Sequence, residues 1–287
     1  MRRIILTILL IATSIMSLSL VLNGCKGKDK DQALSIKMIN NYIITDKDRR
    51  INQVLYFTRD NIFNNSDIVN SVSFIDEENE SILKLKVNNI KKTNYTYKYN
   101  DVKYYSYVYD LTIPAMNNDI EFINAKLQII SEDKEIMLPI GNVSIKYNDN
   151  TNKSITVNNL EGLCNYKPYQ TLSKIKINLE NKTNNNITIK SMNMGGLVDL
   201  TLDDSDEVIF NSKNTNINTQ IIGYMQKELE LNLSYKDKYI LKESYIEIIY
   251  NDTVSDKTIY IDTFNYYDNG YKLPEVDELI NVIKFKI

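Results

Sequence analysis

Three strand-like blocks occur twice in this chain, in the same order, and this repeat constrains the fold more than any other feature. The blocks begin at Asn65, Ala125 and Ser144 in the first copy, and at Asn185, Lys227 and Glu247 in the second. Within the blocks, Ile, Val, Leu and Tyr alternate with polar residues, and Asn, Asp and Gly clusters separate them. This period-two alternation predicts β-strands joined by turns.

The spacing of roughly 100 residues between the copies resembles that of immunoglobulin-like (Ig-like) domains, which have turns every roughly 8–12 residues. We therefore predict an all-β fold class with two tandem Ig-like antiparallel β-sandwich domains, at residues 35–162 and 172–287. A linker at residues 163–171, which contains Pro168, would join them. The Tyr-Asn-Asp sequences at Tyr147 and Tyr250 each precede a further strand-like run and predict two hairpins.

The last residues depart from the strand pattern. Pro274 and the acidic residues after it suit the first turn of a helix. Apolar residues then follow at the spacing of one helical face, at Val276, Leu279, Ile280 and Ile283. We expect a short C-terminal amphipathic helix packed on the second domain.

The N-terminus has the three parts of a secretory signal. Two arginines follow Met1, the run from Ile4 to Leu22 is uncharged and largely apolar, and Gly24 precedes Cys25. The Leu-Asn-Gly-Cys ending resembles the lipobox of bacterial lipoproteins, which implies a signal peptide at residues 1–24 and acylation of Cys25, with palmitate as a typical acyl group. The alternative is a retained transmembrane helix.

Both alternatives tether the chain to a membrane. Residues 25–34 would form a flexible tether, and the remainder would lie on the extracellular face of the cell membrane. Abundant Ile, Asn, Lys and Tyr, without Trp or His, resemble the composition of low-GC bacteria such as clostridia.

Charge and cysteine content exclude several classes of protein. Cleavage before Cys25 would leave 32 basic and 37 acidic residues, a net charge of −5, and no long basic run suggests nucleic-acid binding. If Cys25 carries lipid, Cys164 has no partner for a disulfide. We expect Cys164 to be a small buried apolar residue.

The sequence offers little for catalysis. No histidine is present, which removes histidine-based nucleophile activation and zinc ligation, and no phosphate-binding glycine motif occurs. We expect neither a cofactor nor a metal. The acidic run from Asp203 to Glu207 could bind calcium, but it lacks EF-hand spacing, so an acidic turn is the preferred interpretation.

A tyrosine-rich stretch surrounds Asn100 and Asp101, which predict a tight turn between two strands. The tyrosines alternate along both strands, at Tyr95, Tyr97, Tyr99, Tyr105, Tyr107 and Tyr109. One interpretation is an exposed aromatic platform for a sugar or peptide. The other is packing, because tyrosine is a good strand former and is half-buried on many sheets.

These observations predict a membrane-anchored, non-enzymatic surface lipoprotein that binds an unknown extracellular protein or glycan. An envelope enzyme with a carboxylate pair, of the glycosidase type, is one alternative. An accessory or immunity lipoprotein beside an exporter is another.

Overall fold

The computed structural model describes residues 31–78, 80–149, 154–165, 171–195, 198–202, 219–235, 240–262 and 277–285. Its regular elements are β-strands, apart from two single-turn 3-10 helices at Ile62–Asn64 and Asp277–Leu279. The prediction of an all-β fold is therefore confirmed. Residues 1–30, including Cys25, and the acidic run from Asp203 to Glu207 lie outside the described residues. Within them, no helix has the length and apolar character to cross a membrane.

Ten strands form one sheet, here called the first unit. They are β1 (Asp31–Ile36), β2 (Met38–Ile44), β3 (Arg49–Phe57), β4 (Val69–Ile75), β5 (Ile82–Tyr99), β6 (Val102–Ile113), β7 (Ile120–Ser131), β8 (Lys134–Tyr147), β15 (Ile240–Glu243) and β18 (Ile280–Phe285). Their order is β15-β2-β8-β7-β4-β5-β6-β3-β1-β18. The β15–β2 and β2–β8 pairs are parallel, and the others are antiparallel.

This sheet encloses a core because β5 belongs to two parts of it. The first residues of β5 pair with β4, and those from Lys86 onward pair with β6. Side chains from β2, β4, β7 and β8 therefore pack against those of β3, β5 and β6. Burial of large apolar side chains such as Phe74 and Phe122 supplies the main stabilisation of this core.

Eight strands form a β-sandwich, here called the second unit. They are β9 (Ile155–Asn165), β10 (Thr171–Asn181), β11 (Ile187–Asn193), β12 (Val198–Leu202), β13 (Thr219–Ile221), β14 (Gln226–Tyr235), β16 (Tyr245–Asn251) and β17 (Asp256–Asp262). One sheet has the order β12-β14-β10-β9 and the other β13-β11-β16-β17. Alternate Ile and Leu side chains of both sheets fill the space between them.

The sequence repeat is not a repeat of strand pairing. The Tyr250 turn joins β16 and β17 in an antiparallel hairpin, as expected. The Tyr147 turn does not, because β8 pairs with β2 and β7 whereas β9 pairs with β10 in the second unit. Similar local alternation therefore serves two different topologies.

The predicted C-terminal helix is wrong. Asp277–Leu279 form a single 3-10 turn, and Ile280–Phe285 then form β18, which pairs with β1 along all of that strand. Ile283 and Phe285 pack on the first core, whereas Ile280 and Val282 face a separate cluster on the outer side of β1, β3 and β6. The side chains thus alternate between the two faces of the sheet with period two, which is the signature of a strand and not of a helix.

The predicted domain boundaries do not follow the sheets. β9 runs through Gly162 and Cys164, which were assigned to the first domain and the linker, and Cys164 is half-buried against the second core. β15 and β18, assigned to the second domain, belong to the first unit. The predicted tether also ends earlier, because Ala33 and Leu34 of β1 are fully buried. These differences arise from pairings between residues far apart in the sequence.

Candidate functional site

The tyrosine-rich stretch forms the predicted hairpin. β5 and β6 are antiparallel, and Tyr97 pairs with Tyr104 next to the turn. Asn100 and Asp101 have positive φ angles of 47° and 62°. A two-residue turn with both φ angles positive matches the right-handed twist of the flanking strands.

The tyrosines do not form one exposed platform. Tyr107 and Tyr109 are buried in the first core. The Tyr109 hydroxyl donates to the carbonyl of Phe63, and the Tyr107 hydroxyl donates to the Asp60 carboxylate. Desolvation raises the pKa of both phenols well above the ordinary value, so both stay protonated at neutral pH. These two tyrosines are packing residues, which removes them from any ligand surface.

Three more of the predicted tyrosines are half-buried. Tyr97 and Tyr99 pack on the outer cluster of the first unit, and the Tyr97 ring meets Tyr56 edge to face with 4.9 Å between centroids. Tyr105 packs against the first core, with the Lys92 ammonium 4.5 Å from its ring centroid. Of the six tyrosines, Tyr95 alone is an exposed residue, at 48%. It lies in an irregular segment of β5 beside a polar groove.

A second exposed feature was not predicted from the sequence. Large apolar side chains protrude from two turns of the second unit, here called the apolar tip, which consists of Ile222, Tyr224, Met225 and Val254 with exposures of 57%, 70%, 55% and 85%. Both turns lie at the same end of the sandwich, because Ile187 of β11 pairs with Ile221 and the neighbouring Thr188 pairs with Asn251. Exposed apolar residues grouped at one place mark interaction surfaces more often than isolated ones do.

The backbone beneath the apolar tip is held firmly. The amide of Tyr224 donates to the carbonyl of Thr183 at 3.0 Å, and a Cβ on Gly223 would lie 2.4 Å from the carbonyl oxygen of Asn184. The Asn181 side chain donates to the Ile221 carbonyl at 3.1 Å. Tyr224 has a φ of 56°, a conformation that costs free energy for a side chain of this size. A strained but well-supported turn presents Tyr224 outward.

The apolar tip and the start of the described chain lie at opposite ends of the molecule. At the other end of β11, the Met194 carbonyl accepts a hydrogen bond of 3.1 Å from Asn41 of the first unit. Within the first unit, Arg49 begins β3 and contacts Asp262 of the second unit at 3.0 Å. Asp31 lies beyond the other end of β3, where it forms an ion pair with Arg59. The chain therefore enters the first unit on the side away from the second.

A cleft between the units holds two carboxylates. It has a volume of about 390 Å³, and Glu121, Lys146 and Glu247 are among its lining residues. Glu247 accepts a hydrogen bond of 2.9 Å from the Tyr260 hydroxyl. The carboxyl groups whose pKa values are shifted in the described chain, including Asp119 beside Lys146, are all shifted downward by cationic or hydrogen-bonding neighbours. A glycosidase acid needs the opposite shift.

The described residues contain no group of three or more carboxylate or cysteine side chains that could hold a metal ion. Sequence reasoning missed the apolar tip because Ile221, Ile222, Tyr224 and Met225 have the composition of a strand. The usable signal was Gly223 within this apolar run, since a glycine inside a strand pattern often marks a break or a close backbone contact.

Comparison with known proteins assigns no family. No family model matches the chain, and no curated protein matches it. Solved structures give remote similarities that do not extend over the whole chain. Tandem Ig domains of titin share 7% identity over 81% of this chain and 95% of theirs, with a TM-score of 0.21. The C-terminal domain of the Streptococcus agalactiae AgI/II polypeptide BspA shares 9% identity over 80% of this chain and 100% of its own, with a TM-score of 0.21. The Pseudomonas aeruginosa CupB2 chaperone shares 10% identity over 78% of this chain and 98% of its own, with a TM-score of 0.17.

Proposed function

We propose that this protein is a membrane-anchored surface lipoprotein whose two units form a non-enzymatic binding module, and that the apolar tip contacts a protein partner outside the cell. The lipid anchor would be attached at Cys25. The description of the two units as tandem Ig-like domains belongs to the same proposal. The observation that carries it is the apolar tip itself, in which four large side chains are exposed on a supported backbone.

The position of the apolar tip supports this function. A chain anchored through residues before Asp31 would hold the first unit near the membrane and present the far end of the second unit outward. Tyrosine and methionine are enriched in protein interfaces, and a preformed turn lowers the conformational entropy lost on binding.

The surroundings of the apolar tip favour a protein partner over an anionic lipid surface. Charges of both signs lie near the apolar tip, and some form ion pairs, as Lys190 does with Asp256 and Lys257 with Asp252. Such a surface has no basic excess to attract anionic headgroups. It resembles instead an apolar contact surrounded by a polar rim.

Site-specific photo-crosslinking tests this function. A photoreactive phenylalanine analogue replaces Tyr224 in full-length protein expressed on intact cells of the source organism. We expect ultraviolet light to produce a discrete higher-mass adduct that contains an extracellular or envelope protein. The same analogue at Ile82, an exposed apolar residue of the first unit, is the matched control and should give no such adduct.

A further variant separates binding from folding. Met225→Ser in the Tyr224 crosslinking protein should reduce the adduct while leaving the melting temperature within about 2 °C, because Met225 is exposed. Equal adducts from positions 224 and 82, or an adduct only with lipid, would refute the proposed protein contact. Recovery of the protein with an intact N-terminus and no acyl group would refute the lipid anchor at Cys25.

A further inference from the structure

We propose that the groove beside Tyr95 is a carbohydrate-binding site with a preference for acidic oligosaccharides. The groove lies on the outer face of β3, β5 and β6 in the first unit and has a volume of about 690 Å³. This site is separate from the apolar tip and would give the molecule a second class of ligand.

A large bulge in β5 builds one wall of the groove. Lys92 pairs with Tyr107 and Thr96 pairs with Tyr105, so three residues of β5 lie opposite one residue of β6. The amide of Tyr95 donates to the Thr93 hydroxyl at 3.1 Å, which stabilises this local turn. Bulges redirect side chains away from the sheet, and this one places the exposed Tyr95 ring at the groove.

Polar side chains line the groove. Asn52, Asn89 and Asn94 lie there, and their side-chain amides make no hydrogen bonds with the described residues. Each amide offers both donors and acceptors, which suits the hydroxyl groups of a sugar. A flat tyrosine ring suits the apolar face of a pyranose. An aromatic face beside several planar amides therefore matches carbohydrate better than an apolar ligand.

The charge of the groove indicates an acidic sugar. Its charged residues are Arg50, Lys91, Lys92 and Asp110. Arg50 is bound to Asp110 through both carboxylate oxygens, and Lys92 forms an ion pair with Asp60 at 2.7 Å. Lys91 is exposed and has no ion pair among the described residues. It is therefore the cation available to a carboxylate or sulfate on the ligand.

Binding is tested with a defined panel of oligosaccharides. The full-length protein, in a detergent without a sugar headgroup, is titrated calorimetrically with hexagalacturonate, a hyaluronan hexasaccharide and a heparin hexasaccharide. Chitohexaose and maltohexaose are the neutral arm. We expect measurable binding of at least one acidic member and weaker or no binding of the neutral ones.

Variants link the binding to the groove. Tyr95→Ala should lower the affinity for the bound sugar about tenfold, whereas Tyr95→Phe should leave the affinity unchanged, because the ring supplies the contact. Lys91→Gln should lower the affinity for an acidic sugar about fivefold and leave the affinity for neutral sugars unchanged. Lys84→Gln removes an exposed cation of the same strand outside the groove and should have no effect.

Several outcomes would overturn the proposal. One is that no acidic oligosaccharide binds. Another is that Lys84→Gln and Lys91→Gln lower the affinity for the acidic sugar equally. A third is that Tyr95→Ala binds the sugar with unchanged affinity. Binding of neutral members alone would overturn the acidic preference. Met225→Ser at the apolar tip should not change sugar affinity, so the failure of either site can be distinguished from failure of the other.

Discussion

Lys242 is a cation held in the interior of the protein. Its exposure is 1%, and its ammonium donates to the carbonyl of Asn52 and to the side-chain oxygen of Gln53, the latter at 3.1 Å. Burial lowers its pKa from 10.5 to about 8, against an opposing effect of the nearby Glu243 charge. Because desolvation disfavours the charged form, this residue makes a stability contribution that depends on pH.

The direction of that dependence follows from proton binding. Between pH 8 and pH 10.5 the unfolded chain holds the lysine proton and the folded chain releases it. The contribution of Lys242 to stability is therefore least favourable below pH 8 and improves up to pH 10.5, by about 3 kcal/mol at most. We predict that, in urea titrations, the free energy of unfolding of the native protein will rise relative to that of Lys242→Met over that pH range.

Other titrating groups are common to both proteins and cancel in the comparison. Lys190→Met, which removes an exposed lysine, controls for the loss of a charge. A difference between the native protein and Lys242→Met that stays constant from pH 7 to pH 11 would show that Lys242 keeps its ordinary pKa.

At the scale of elements, alternation along the chain identified strands but not their neighbours. β6 was predictable because Tyr105, Tyr107 and Tyr109 lie on one face and because a two-residue turn connects it to its partner β5. Which of these rings is buried was not predictable, because a tyrosine suits both a core and a half-exposed sheet. β18 was mistaken for a helix because Leu279, Ile280 and Ile283 fit helical spacing, and its partner β1 lies at the other end of the chain.

The β5–β6 turn offers a test at this scale. Asp101 has a φ of 62°, which glycine adopts without the steric cost of a side chain. Its ion pair with Lys98 is highly exposed and contributes little. We predict that Asp101→Gly will stabilise the protein by about 0.5 kcal/mol in chemical denaturation, since Asn-Gly is the preferred sequence for this turn.

Asp101→Ala is the matched control because it removes the same carboxylate while keeping a Cβ. It should be neutral or destabilising at a positive φ. Stabilisation of equal size by both variants would mean that the carboxylate, and not the backbone conformation, determines the effect.

At the scale of the molecule, the two units are connected by more than a linker. Ile39 of β2 and Leu241 of β15 belong to strands of the first unit, yet both pack in the second core. Arg49 bridges to Glu243 and Asp262, and Asn41 donates to Ser244 at 3.1 Å. The tandem-domain interpretation of the sequence did not include these contacts, because each joins residues separated by much of the chain.

The shared contacts predict cooperative unfolding of both units. β1 pairs with β3 at only two positions, so β18 is its main hydrogen-bonding partner in the sheet. Phe285 of β18 also contacts Phe63 edge to face at 5.4 Å. Deleting residues 280–287 should therefore lower the stability by more than about 3 kcal/mol, because the first core loses apolar side chains and β1 loses its partner.

Calorimetry of the full-length protein should show a single transition, and the deletion should move all of it to lower temperature by about 10 °C. Lys284→Ala, which replaces an exposed side chain of β18, is the control and should leave the transition in place. If the deletion instead produced two transitions, with the upper one at the original temperature, the second unit would be stable on its own. The contacts of Ile39, Leu241 and Arg49 would then join two independently folding units without coupling their stability.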